Sequence, residues 1–298
     1  MTTVTVTDLV KDYTLRSGLR RTRLRAVDRV GLELVPGRTV ALVGESGSGK
    51  STIARILLRM ERPSAGSVEI RSDGVPVPAR DHRRHVQMVF QDPFASLNPF
   101  HSVEHHIARP LLIHGRTRTR HETHQRVLEM LERVNLSPDV AARRPHELSG
   151  GQRQRVAIAR ALAPGARVLV ADEPVSMLDV SIRLGVLNLL GRLQRESDLA
   201  VLYITHDLAT ARHFSDEIVV LYRGRVVERG PSDAVILDAR HEYTRLLALS
   251  APDPERPGRV VGDAPARGVI GNDRCYDHYA GAWVEAGTPS SSTPRSMT

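Results

Sequence analysis

The sequence predicts an α/β protein: a parallel β-sheet carrying helices, an antiparallel β layer near the N-terminus and an α-helical insertion in the middle. Three observations carry that prediction. The runs TVALVG (39–44), VQMVF (86–90), VLVAD (168–172) and AVLYITH (200–206) are continuously apolar and end in glycine or polar residues, as strands buried on both faces do. By contrast TVTVTDLVKDYTL (3–15) alternates like a half-exposed strand, and VDRVGLELVPGR (27–38) repeats that alternation before a Pro-Gly turn. Between Gln91 and Pro164 the composition turns helical, and RHETHQRVLEMLERVNL (120–136) sets Val127, Leu128, Leu131 and Val134 on one stripe. A parallel sheet of this kind takes its ligands at the carboxyl ends of the strands.

The first of those ends is GESGSGKS, Gly44 to Ser51, directly after TVALV and before the helical pattern STIARILLRM. Glycine, four residues, then Gly-Lys-Ser between a strand and a helix is a phosphate-binding loop. Gly47 and Gly49 let backbone N–H groups wrap a phosphate, with Glu45, Ser46, Ser48 and Thr52 completing the cradle. The helix N-terminus adds its positive end, Lys50 a point charge, and Ser51 a hydroxyl for Mg²⁺.

A later strand end, VLVAD, finishes at Asp172 and is followed by Glu173. Asp172 suits holding Mg²⁺ through water, and Glu173 suits the general base that polarises a water attacking the γ-phosphate. In isolation a pair of acids at a strand end reads more readily as a solvated turn. The phosphate loop in the same chain reverses that preference.

A second glycine turn, Gly150–Gly151 in ELSGGQRQRVAIARAL, opens another helix with Ser149 at its cap position. One nucleotide needs one phosphate loop. Ser149, Gly151 and Gln152 are therefore read as holding the γ-phosphate of a nucleotide carried by a second chain, so that two chains sandwich two ATP molecules head to tail.

The run LSGGQ (148–152) resembles the signature motif of ATP-binding cassette (ABC) ATPases, and other marks of that family follow in order. Tyr13 matches the aromatic that stacks on adenine, Gln91 the glutamine that senses Mg²⁺ and links to the membrane partner, Asp179 in SMLDVS the inter-subunit aspartate, and His206 the switch histidine. Taken singly, Tyr13 has a lesser reading as a strand aromatic and Gln91 as a strand cap, while a lone histidine such as His206 reads more readily as a structural group; their joint order favours the resemblance.

The resemblance implies a P-loop NTPase core of RecA type with an antiparallel β subdomain and an inserted α-helical subdomain. It places an ABC ATPase domain over 1–250, the helical insert at about 92–164, and a C-terminal extension, partly disordered, over 251–298. ATP and Mg²⁺ are the implied cofactors, with Mg²⁺ on Ser51, Gln91 and Asp172, and with Glu173, His206, Lys50 and Gln91 in catalysis. Nucleotide contacts are implied at Tyr13, Gly44 to Thr52, Ser149, Gly150, Gly151, Gln152 and Asp179. The implied partners are a second ABC ATPase subunit, identical or related, two integral membrane permease subunits and an extracytoplasmic solute-binding protein. That places the chain at the cytoplasmic face of the membrane.

Within the family, FQDPFASLNP (90–99), SMLDVS (176–181) and HEYTRLLAL (241–249) resemble the ATPases of oligopeptide, dipeptide and nickel importers. LRSGLRRTRLRAVDRVGLEL (15–34) resembles the N-terminal segment of the second ATPase of such importers. Two departures stand out. Those proteins usually carry several cysteines in the C-terminal extension, which in some members hold an iron–sulfur cluster; with Cys275 alone this chain cannot ligate one that way. Met177 stands where alanine is common, but the hydrogen-bonding residues Ser176 and Asp179 remain, so the methionine is expected to add packing and leave their roles intact.

Composition bounds the alternatives. Lys plus Arg at 42 against Asp plus Glu at 34 gives a net charge of +8, which suits nucleic acid or an anionic membrane face. Lysine occurs only at Lys11 and Lys50, so an arginine-rich codon bias explains that charge as readily as a binding patch. An ABC ATPase acting on nucleic acid is disfavoured because the chain has no second cassette, zinc module or long coiled coil. An exporter ATPase is the nearer alternative. A single cysteine makes an intramolecular disulfide impossible and favours a reducing compartment, and no apolar run reaches the roughly 18 residues of a membrane span. APDPERPGR (251–259) and GTPSSSTPRSMT (287–298) read as a linker and a disordered end.

Overall fold

The apolar runs form strands buried along their length: Thr39–Val43 at every position, Val168–Asp172 at all but the last, and Ala200–Thr205 throughout. Such strands need cover on both faces. The structure, a computed structural model, describes residues 1–17, 20–250 and 274–285. It divides into two compact units, one of Met1–Thr3, Val35–Arg38 and Arg71–Leu202, the other of Val4–Leu34, Thr39–Ile70 and Tyr203 onward.

In the first unit Val86–Val89 runs parallel to Val168–Asp172, pairing Val86 with Val168 and Val89 with Ala171. Helices Val103–Ile113, Arg120–Arg133, Gly150–Leu162 and Val180–Ser197 complete it. Arg120–Arg133 starts where Thr119 accepts a hydrogen bond from the Glu122 N–H at 3.1 Å, and it buries Val127, Met130 and Leu131, with Val134 buried at its end. Leu128 of the predicted stripe is only half-buried, and Met130 takes its place. Spacings of three, four and seven from Val127 put Met130, Leu131 and Val134 on one face, whereas its immediate neighbour Leu128 is rotated off it.

The second unit holds the antiparallel layer. Thr2–Ser17 pairs with Arg20–Leu34, Val4 opposite Leu34, with irregularities near Leu9 and Lys11, and Ala65–Ser72 lies on the other side of Thr2–Ser17. Thr39–Val43 runs parallel to Glu217–Tyr222, which turns back into Arg225–Pro231 through Arg223 and Gly224 at φ 48 and 83. Positive φ at both turn residues matches the twist of the paired strands. That hairpin is absent from the sequence reading because Arg-Gly is a weaker turn signal than Asn-Gly or Asp-Gly. The helix after the phosphate loop is Lys50–Leu57, shorter than STIARILLRM, with Arg59 at φ 54 just beyond it.

The segments read as a linker and a disordered end, 251–259 and 287–298, lie outside the described residues. Between them, Arg274–Asp277 adds to Arg225–Pro231 in parallel and pairs with Ala282–Glu285. Three buried charged groups fasten this hairpin. Arg229 and Asp277, each 5% exposed at the side chain, form an ion pair, with Arg229 Nε donating at 2.8 Å. Fully buried Glu228 accepts from the backbone N–H groups of Arg240 and His241, and its carboxylate lies 2.8 Å from His278 Nε2. Among the described residues no helix is long and apolar enough to cross a membrane.

Candidate nucleotide-binding and hydrolytic site

In the second unit Gly44 to Ser51 form a loop whose backbone only glycine can follow at two points. Gly47 lies at φ 81. Gly49 lies at φ 112, and a Cβ there would meet the Ala26 carbonyl oxygen at 2.4 Å. Lys50 is 6% exposed and donates from Nζ to the carbonyls of Gly44 at 2.6 Å and Glu45 at 2.8 Å, so its ammonium is held inside the loop it serves. Ser48 Oγ is buried without a protein partner. The Lys50–Leu57 helix has no side-chain cap at Gly49. A buried cation, an orphaned hydroxyl and an uncapped helix start fit a phosphate group.

A residue that the motif reading missed braces this loop. Tyr243 is 1% exposed, and its hydroxyl accepts from the Glu45 N–H at 2.9 Å. Burial pushes its phenol up to about 12, so it stays protonated. Its ring lies 4.3 Å from that of Tyr222, and the Gly224 N–H of the neighbouring turn donates to the Ser48 carbonyl at 2.9 Å. HEYTRLLAL contains Tyr243, but a contact across 198 residues leaves no local signal.

Tyr13 is half-buried, with its hydroxyl donating to Glu61 at 2.5 Å and Lys11 Nζ 5.1 Å from its ring centre. Burial, then the Glu61 carboxylate, raises the phenol above its ordinary range. His206 follows the Ala200–Thr205 strand and is exposed.

The first unit brings Gln91 and Glu173 together: Gln91 Nε2 donates to Glu173 Oε2 at 2.9 Å. Asp172 ends its strand half-buried beside Glu173. Glu173 has φ 45, rare for a residue with a side chain, and its carbonyl accepts from both the Ser176 N–H at 3.2 Å and the Ser176 hydroxyl at 3.0 Å. Such strain persists where the surroundings fix it, and it concentrates at functional sites.

Ser149 caps Gly150–Leu162: its Oγ accepts from the Gln152 N–H at 3.3 Å while Gln152 Oε1 accepts from the Ser149 N–H at 3.0 Å. Gly151 has a packing role that the sequence reading did not assign. A Cβ there would meet Ile182 Cγ2 at 2.6 Å, so the glycine lets Gly150–Leu162 and Val180–Ser197 approach closely. Asp179 is exposed and makes no side-chain cap to the Val180–Ser197 helix, and Met177, Val180 and Leu184 beside it are exposed apolar side chains. After Gln91, Asp92 caps the short Pro93–Ser96 helix, and Phe94 and Phe100 are 56% and 81% exposed, with the Arg153 guanidinium 3.7 Å from the Phe94 ring centre.

Residues 27–176 match the family model described as ABC transporter. The chain belongs to the ABC transporter family. It is an ABC-type ATPase with the nucleotide-binding cassette fold of that family. It is 45% identical over 276 residues to the di/tripeptide transport ATP-binding protein DppF of Pseudomonas aeruginosa, covering 89% of this chain and 85% of that one. It is 46% identical over 267 residues to the glutathione import ATP-binding protein GsiA of Escherichia coli O6:H1, covering 86% of this chain but 43% of that longer one. Among solved structures, the dimeric post-hydrolysis state of the ATP-binding cassette MJ0796 bound to ADP and Pi aligns with a TM-score of 0.65 at 31% identity, over 77% of this chain and 98% of that one.

Proposed function

We propose that this cassette hydrolyses ATP to drive import of short peptides or a similar small solute through a membrane permease. The observation that carries the coupling is the Gln91–Glu173 hydrogen bond. It ties the carboxylate read as general base to the residue that opens the segment bearing exposed Phe94 and Phe100. The names of the relatives support import, and a peptide cargo, over export.

Gly44 to Thr52 wrap the phosphates of ATP, Lys50 leaves its two carbonyls for the β- and γ-phosphates, and Tyr13 faces adenine. Ser51, Gln91 and Asp172 hold Mg²⁺, which when bound neutralises phosphate charge. Ser149, Gly150, Gly151 and Gln152, with Asp179, meet the nucleotide of a second cassette, identical or related. Glu173 accepts the proton of the attacking water, and His206 contacts the γ-phosphate. The cassette sits at the cytoplasmic face of a complex with two permease subunits, a cytoplasmic helix of one docked against the Phe94–Phe100 segment, and an extracytoplasmic solute-binding protein delivering cargo.

The test is affinity purification of Glu173→Gln protein from native membranes in Mg-ATP, with mass spectrometry of what co-purifies. Two permeases and a solute-binding protein are expected. Nucleic acid or ribosomes without permeases would overturn the transport reading.

A further inference from the structure

A cleft of about 520 Å³ lies wholly within the first unit, lined by the Arg120–Arg133 helix, the Leu162–Arg167 turn and the end of the Val180–Ser197 helix. That volume is within the range of small-molecule sites. Its walls carry four guanidinium groups, and only one of them meets a carboxylate: Arg126 pairs with Glu129. Arg116 donates to the carbonyls of Pro164 and Gly165, Arg133 to Ser197 Oγ at 2.7 Å, and Arg167 to the Ser197 carbonyl at 3.3 Å. The other lining acid, Glu122, accepts from the Arg118 N–H at the start of its own helix.

Three arginines are thus fixed by neutral acceptors around one cavity. Arg116 is seated with particular closeness, since a Cβ at Gly165 would fall 1.9 Å from its Nη2. Burial, and then the charges of Arg84, Arg167 and Arg126, hold the Arg116 guanidinium below its ordinary range, so these cations feel one another across the cleft. The lining sets four guanidinium groups against two carboxylates, an excess of positive charge that an anion relieves, and guanidinium forks match the oxygen geometry of phosphate.

We propose that this cleft binds a phosphate-bearing organic anion of nucleotide size, its phosphate on Arg116 and Arg167, at a site separate from the Gly44–Ser51 loop. The phosphate belongs either to a soluble ester or to a phospholipid headgroup.

The test first saturates the loop with Mg-ADP and then titrates the full chain with inorganic pyrophosphate in a calorimeter. The Mg-ADP titration stands alone, so a failed loop assignment is seen separately. One further equivalent is expected to bind, with affinity lowered at least tenfold in Arg167→Ala and in Arg116→Ala, and less in Arg167→Lys. Arg167 is exposed and holds a single carbonyl, so its substitution tests the site even where Arg116→Ala fails to fold. In a second arm, vesicles of phosphatidylcholine with and without phosphatidate are sedimented with wild-type and Arg167→Ala protein. Pyrophosphate binding sensitive to Arg167 assigns a soluble ligand; phosphatidate binding sensitive to Arg167 without pyrophosphate binding assigns a headgroup. No saturable binding in either arm, or binding indifferent to Arg167, overturns the proposal.

Discussion

At the scale of single residues, the site rests on groups held in positions that cost free energy. Glu173 keeps φ 45 because Ser176 grips its carbonyl twice, while Gln91 bonds its carboxylate. Replacing Glu173 with Gln keeps the shape and removes the carboxylate proposed as the base. ATP turnover should fall about a hundredfold or more while Mg-ATP still binds, as measured by steady-state phosphate release and equilibrium titration. Unchanged turnover would remove Glu173 from the chemistry. Tyr243→Phe deletes the acceptor for the Glu45 N–H, and the loss of one such bond is worth about 1 kcal/mol. A lower Tm and a several-fold weaker ADP affinity are expected, with turnover at saturating ATP nearly kept. The places of Lys50 and Ser51 at the loop and of Asp172 and Glu173 at the strand end were legible in the sequence because the motifs proposed for them are written in order along a few residues. Tyr243 was not, because its contact is made by chain far away, and the backbone strain at Glu173 was not, because an L-residue at positive φ is imposed by its surroundings.

At the scale of elements, the second glycine turn was legible as a helix start but only half legible in its purpose. The capping box of Ser149 and Gln152 follows from sequence, whereas the closeness of Gly151 to Ile182 depends on how two helices pack. Gly151→Ala should force that packing apart and destabilise by about 1–3 kcal/mol. Ile182→Ala removes the obstructing methyl group. The double variant should therefore be more stable than the sum of the two single effects allows, read from chemical denaturation of all four proteins. Simple additivity would mean that the glycine matters for backbone freedom alone. The Glu217–Tyr222 and Arg225–Pro231 hairpin was missed for a related reason: its turn is specified by φ at Arg223 and Gly224, and Arg-Gly announces this weakly.

At the scale of the whole molecule, composition reads 251–259 as a linker and 287–298 as a disordered end, and between them Arg274–Asp277 is joined to the sheet of the second unit by buried charge. A hydropathy reading cannot see this, because Arg229 and Asp277 look like surface residues until their pairing removes both from water. A buried ion pair broken by removing one partner typically costs about 3–5 kcal/mol. The chain supplies its own reporter. Cys275 is the single cysteine, lies 3% exposed in that strand, and has a thiol pushed up to about 12 by burial. At pH 9 an exposed thiol is largely thiolate and alkylates readily, whereas this one stays protonated and covered. Iodoacetamide should therefore label native protein slowly at pH 9, and Asp277→Asn should raise the rate at least tenfold while Mg-ADP affinity is kept. An unchanged rate would show that the backbone ladder to Arg225–Pro231 holds the strand without the ion pair. A fast rate in the unsubstituted protein would show that the strand leaves the sheet on its own.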